Sequence, residues 1–160
     1  MNQKLAVPCG DTLTPSEVLA AIPQQEPFRF IDEILEVDDD HIVASYRFRP
    51  EAEFYRGHFP GKPVTPGVLM IESMGQAGVV GLGIYLLAKE RGRGAIADLV
   101  TVFTDAEVEF SGFVRPNERV VITGKKIFFR RLKLRSQVEM RLENGTLVCA
   151  GTLAGMGVAT

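Results

Sequence analysis

Residues 65–89 read TPGVLMIESMGQAGVVGLGIYLLAK, and the reading of this run decides the fold. It opens on Thr65-Pro66, a capping residue followed by proline, which suits a first helical position because proline has no N–H to leave unpaired. It closes on Lys89-Glu90-Arg91-Gly92, basic residues and then glycine, as helix C-termini prefer. Length alone would let the run cross a bilayer. Glu72 and Gln76 interrupt it, however, and Gly75, Gly78, Gly81 and Gly83 thin it. A helix apolar on most sides between amphipathic strands is expected to be the buried centre of a domain. Its glycines would let a sheet or a second chain come close. The aliphatic residues Val68, Leu69, Ile71, Val79 and Val80 are expected in the core.

Working outward, Thr14-Pro15-Ser16-Glu17 carries a capping box and starts a short helix that ends near Ile22-Pro23. Phe28 to Val37 reads as a strand, Asp38-Asp39-Asp40 as a solvated turn rather than a metal site, and His41 to Arg49 as an alternating strand. In the latter, Ile42, Ala44, Tyr46 and Phe48 share one face. A Gly/Pro-rich loop spans Gly57 to Gly67. After the central helix, Ala97 to Phe110, Arg119 to Phe129, Arg131 to Leu142 and Thr146 to Leu153 read as strands. Asn144-Gly145 is expected as a two-residue hairpin turn. The tail from Ala154 is expected to fray. The sum is an α+β class domain over residues 1–160, an antiparallel sheet holding one long helix.

Composition narrows the function. With 160 residues, 46% hydrophobic and 24% charged, the chain suits one globular domain. A net charge of −2 gives no global attraction to nucleic acid or anionic membrane. Cys9 and Cys149 are too few for a disulfide framework and lack metal spacing, which points to reduced thiols and a cytoplasmic protein. The first ten residues hold no apolar segment of signal-peptide type.

The chemistry gathers in the stretch from Tyr55 to Gln76. His58, one of two histidines, sits in a stiff loop that runs into a helix N-terminus, where free amides and the positive dipole end face a ligand. Glu72 lies under two turns into that helix, its side chain leaning back toward the N-terminus. Gln76, at i+4, can hydrogen-bond and orient the carboxyl. A base, an acid and an oxyanion donor are the parts that eliminate water from a 3-hydroxyacyl thioester. From these residues alone the site competes with a structural loop histidine and a specifically paired glutamate.

Gly57-His58-Phe59-Pro60-Gly61, Pro66-Gly67-Val68 and Glu72-Ser73-Met74-Gly75-Gln76 resemble, without a gap, the signature of the FabZ-type 3-hydroxyacyl-[acyl-carrier-protein] dehydratases. Weaker resemblance runs over nearly the whole chain. It implies a hotdog fold, a sheet wrapped around the central helix. It implies His58 as base and Glu72 as acid, meeting across a homodimer interface, and a trimer of dimers as a further assembly. The Gly67 amide would bind the thioester carbonyl, with Phe59, Val68 and Gln76 also on the substrate side. No metal or redox cofactor is implied, the acyl group arriving on the phosphopantetheine of acyl carrier protein. Glutamate at position 72 and Gly57 before the histidine resemble the dehydratase-only branch. Two stretches depart from the family pattern: Pro23-Gln24-Gln25-Glu26-Pro27-Phe28 replaces Pro-His-Arg-Tyr-Pro-Phe, and Glu107 and Glu109 stand where basic residues are usual. These departures bear on carrier and chain-length preference and on a specialised rather than housekeeping pathway.

An acidic carrier needs cations. Lys125, Lys126, Arg130, Arg131, Lys133 and Arg135 form the densest basic run, with Arg56 beside the catalytic loop and Arg91 and Arg93 after the helix. A solvated strand face accounts for the same run. Two other functions share the fold: a hotdog thioesterase, which would release free thiol, and a non-catalytic carrier-binding subunit, which would turn over no acyl length.

Overall fold

The structure, a computed structural model, describes residues 10–160. The readings of Cys9 and of the first nine residues lie outside the described residues. Six strands form one antiparallel sheet in the order β1-β2-β4-β5-β6-β3, and a long helix lies against it. The strands are β1 (Glu33–Val37), β2 (His41–Arg47), β3 (Leu99–Phe110), β4 (Arg119–Arg130), β5 (Lys133–Leu142) and β6 (Leu147–Ala159).

The short helix α1 (Pro15–Ala21) begins as its sequence dictates. The Thr14 hydroxyl accepts from the Glu17 N–H, and Glu17 accepts from the Thr14 N–H at 2.8 Å. Such a cap contributes about 1 kcal/mol.

The central helix spans Gly67–Arg91. It is long and apolar enough to cross a membrane, but 67% of its most apolar window is buried inside the protein. Its middle turn, Gln76–Gly81, is π-helical. A π turn disturbs the i→i−4 ladder, and here Ser136 of β5 donates to the Gly78 carbonyl at 2.7 Å. That explains a fully buried serine among Leu134, Val138 and Met140 on the inner face of β5. Helix and sheet meet backbone to backbone at Gly78 and Gly124, where a Cβ on Gly124 would lie 2.7 Å from the Gly78 Cα. The helix ends at Arg91, with Gly92 at φ 87° as its terminator.

Several expectations need correction. The helix starts one residue later than the Thr65 cap implied: Pro66 is its N-cap, and the buried Thr65 hydroxyl pairs with Tyr55 Oη at 2.6 Å. Val68 is not core but 72% exposed, because residues two apart on a helix point to nearly opposite sides and Met70 takes the buried one. Only Glu33–Val37 of the first expected strand is extended pairing. Phe28 and Phe30 instead have backbone groups bound by side chains of the central helix. The tail does not fray: β6 runs through Ala159 between β5 and β3, with Leu99 opposite Ala159. Small residues read as disorder are there because neighbours crowd the strand, and a Cβ on Gly155 would lie 2.8 Å from Val79.

The hairpins also differ. Glu143-Asn144-Gly145 is a three-residue loop, with Gly145 at φ 90° and its N–H on the Leu142 carbonyl, the pattern of a turn followed by a bulge. The two-residue turn with positive φ lies elsewhere, at Arg131 (φ 50°) and Leu132 (φ 63°), between paired Arg130 and Lys133. Arg131 therefore belongs to a turn, not to β5.

Candidate active site

The loop that carries His58 is cross-linked by its own backbone. Phe59 and Lys62 exchange N–H···O bonds at 3.1 and 2.8 Å, and the Val64 N–H closes onto the His58 carbonyl at 3.0 Å. Gly61 takes φ 72°, which favours glycine. Within this frame His58 Nδ1 lies 2.7 Å from the Val64 carbonyl. A carbonyl has no proton to give, so Nδ1 is the donor, and in the neutral ring Nε2 carries the lone pair. The His58 ring stacks on Phe59, centroids 4.1 Å apart. The half-buried imidazole is thus held in the tautomer and orientation of a base.

Glu72 is held from the opposite side. Gln76, fully buried, donates from Nε2 to Glu72 Oε1 and to the Phe28 carbonyl, both at 2.9 Å. Its Oε1 accepts from the Phe30 N–H at 2.8 Å. That third bond fixes which end of the amide faces Glu72. Both amide protons are then committed, one carboxylate oxygen is anchored, and the other is open to carry a proton. Glu72 is half-buried rather than enclosed as its helix had suggested.

The N–H groups of Gly67 and Val68 precede the first helical hydrogen bond and have no helical partner. The Phe110 ring lies over Gly67, where a Cβ would come within 3.1 Å. The pocket at Glu72 is walled by Gln24, Gly75, Val79, Val80, Thr101 and Phe103, and His58 is not part of it. Within a single chain, Glu72 and His58 do not line a common pocket among the described residues.

Three contributors had no signal in the sequence. The Val64 carbonyl that sets the histidine tautomer is backbone. Phe103 packs where a Cβ on Gly75 would sit, 2.4 Å from its ring. Gln24 lies in the stretch that departs from the family pattern, and its buried Oε1 has no hydrogen-bond partner among the described residues.

The FabA-like domain family matches residues 22–154. The chain belongs to the FabA-like family. It is 38% identical over 138 residues to the 3-hydroxyacyl-[acyl-carrier-protein] dehydratase FabZ of Streptococcus pyogenes, serotypes M5 and M1 alike, a match covering 86% of this chain and 93% of the relative. Among solved structures, the dehydratase heterocomplex ApeI:P of Xenorhabdus doucetiae superposes with TM-score 0.72 at 16% identity, covering 92% of this chain and 93% of that one. The thioesterase HI1161 of Haemophilus influenzae gives TM-score 0.65 at 18% identity, covering 94% of each. These two share the hotdog fold with this FabA-like chain.

The basic run divides on inspection. Lys126 pairs with Asp40, and Lys133 and Arg135 both pair with Asp105. Arg130 stacks over Phe128, and Lys125 and Arg131 are exposed. The run lies toward the end of the sheet where Asp39 binds Lys89 near the helix C-terminus. Arg56, paired with Glu53, is at the other end beside the catalytic loop. Within one chain these cations do not make a single patch. Arg93 is tied to Glu17, and Arg91 lies near Glu90.

Proposed function

We propose that this chain dehydrates (3R)-hydroxyacyl groups on acyl carrier protein to trans-2-enoyl groups, in fatty acid or related acyl-chain biosynthesis, with His58 as base and Glu72 as acid. The observation that carries the assignment of roles is the pair of opposed locks. Val64 leaves His58 Nε2 with a lone pair, and Gln76 leaves one oxygen of Glu72 to hold a proton. His58 Nε2 takes the C2 proton. The C2–H electrons form the C2–C3 double bond, the C3–O bond breaks, and Glu72 protonates the departing hydroxyl as water. The Gly67 N–H, at the positive end of the helix, steadies the charge that gathers on the thioester oxygen. Proton exchange then resets both groups. Each step uses only this chain's side chains and backbone, so the reading takes no metal or redox cofactor.

The acid and base come from two copies. β3 ends the sheet, and its outer edge carries half-exposed Val102, Phe103 and Phe110. A twelve-residue edge strand with exposed apolar side chains is an open template for pairing unless another strand covers it. Pairing of β3 with β3 of a second copy about a two-fold axis covers it and brings each Phe103, beside Glu72, to the joint. Higher assembly as a trimer of dimers and a cytoplasmic location complete the reading. Lys125, Arg130, Arg131 and Arg56 are the cations an acidic carrier would meet.

The test is turnover of 3-hydroxyacyl carrier to the conjugated enoyl product, followed by ultraviolet absorbance, with free thiol assayed in parallel. His58→Ala and Glu72→Gln are each expected to lose about a hundredfold or more, the range of general acid–base catalysis. Thiol release without enoyl product would make it a thioesterase. Carrier binding without turnover of any acyl length would make it a binding subunit.

A further inference from the structure

Glu72, Val79, Gly83 and Leu87 recur at helical spacing along one side of the central helix. The pocket at Glu72 and a second, apolar cavity share Val79, Val80 and Thr101 as walls. The two adjoin along the helix, the second lying further toward its C-terminus, at Gly83, Ile84 and Leu87. The second cavity is small, about 50 Å³, and no charged side chain lines it. Its far part is bounded by Gly83, Ile84, Leu87, Ile96, Leu132 and Leu134.

The four helix glycines do not serve one purpose. A Cβ would meet Phe103 at 2.4 Å from Gly75, Val138 at 2.7 Å from Gly78, and Ile42 at 3.1 Å from Gly81. At Gly83 the nearest atom is a Leu134 methyl at 3.7 Å, an ordinary contact. Packing explains the first three and leaves the fourth unexplained: at Gly83 the missing side chain leaves space rather than admitting a neighbour. The opposite wall is also unusual. Leu132 holds φ 63°, a conformation that bulky residues rarely adopt. Its carbonyl accepts from the Gly157 N–H at 2.9 Å, and its side chain lines the cavity.

We propose that the absent side chain at Gly83 sets how long an acyl chain this cavity admits. The proposal rests on the dehydratase reading and names its substrate class. Eleven residues separate Glu72 from Gly83, about 16 Å of helix at ~1.5 Å per residue. An extended methylene adds roughly 1.25 Å, given a ~1.5 Å carbon–carbon bond. A tail of about a dozen carbons beyond C3 therefore reaches Gly83. Long-chain 3-hydroxyacyl groups, roughly fourteen to sixteen carbons, are the class whose ends reach the cavity.

The experiment measures kcat/KM for carrier-bound 3-hydroxyacyl groups from four to sixteen carbons, with wild type, Gly83→Val and Ile96→Phe. Gly83→Val fills the cavity from the helix and Ile96→Phe from the facing wall. In each variant the ratio of the fourteen-carbon to the four-carbon kcat/KM is expected to fall tenfold or more. A ratio that moves less than twofold in a folded variant overturns the proposal. If Gly83→Val does not fold, Ile96→Phe gives the same readout. Should wild type dehydrate no acyl length, the catalytic reading fails and the chamber with it. If wild type turns over and the ratio holds, only the chamber fails.

Discussion

Gln76→Leu removes one side chain on which both catalytic geometry and stability depend. Gln76 is fully buried and makes three hydrogen bonds, to the Phe30 N–H, the Phe28 carbonyl and Glu72 Oε1. Leucine keeps the approximate volume and loses all three. The Phe30 N–H is buried and the Phe28 carbonyl partly so; each is left without this partner at about 1–3 kcal/mol. Better burial of leucine offsets part of that, so the net loss is about 2–4 kcal/mol. For a chain of this size the melting temperature should fall by about 5–15 °C. The assay is thermal unfolding at fixed protein concentration, since assembly shifts the midpoint, together with kcat. Glu72 loses its anchor, so kcat should drop more than KM rises. Gln76→Glu separates the two effects, because it keeps an acceptor for Phe30 and sets a second carboxylate beside Glu72. A Gln76→Leu protein with wild-type melting and wild-type kcat would refute the lock.

The hydrogen bond from His41 to Glu36, and then that to Asp38, hold its imidazole above the ordinary 6.5. A raised folded value means stabilisation that is complete below 6.5 and is lost as pH rises through the folded pKa. The melting-temperature gap between wild type and His41→Gln should therefore be widest in mild acid and close on the alkaline side; a gap that widens with pH contradicts this. Lys125→Glu combined with Arg130→Glu and Arg131→Glu, and separately Arg56→Glu, should raise KM several-fold for carrier-bound substrate but not for the coenzyme A thioester; equal effects on both would remove these residues from docking. Gln24→Leu deletes a buried oxygen that has no partner among the described residues, and should raise stability by about 1 kcal/mol, read as a higher melting midpoint. A lower midpoint would mean that the oxygen is satisfied in the assembled protein.

The long helix, its end at Gly92, the capping box at Thr14 and Glu17 and the buried face of Ile42, Ala44, Tyr46 and Phe48 were all legible, because each depends on local pattern: periodicity, caps and alternation. The Glu72–Gln76 bond was legible because i and i+4 are neighbours on any helix. What escaped depends on contacts distant in sequence. Phe28 to Phe30 looks like a strand by composition, yet its backbone is bound by Gln76 and Ser73 more than forty residues away. Gly155 looked like part of a fraying tail, but crowding by Val79, Thr101 and the Val102 carbonyl requires a glycine there. Arg131-Leu132 has no turn residue to announce it; the register between β4 and β5 forces positive φ on both. The histidine and glutamate were visible as types, while the carbonyl that chooses the tautomer had no sequence signature.

Subunit complementation tests most directly whether one active site is shared by two chains. His58→Ala and Glu72→Gln proteins, each inactive alone, are mixed under conditions that exchange subunits. Half of randomly assorted dimers are then mixed, and each mixed dimer holds one site with both groups intact, so about a quarter of wild-type activity should return. If exchange is verified by mass and no activity returns, the imidazole and the carboxyl do not meet across two copies.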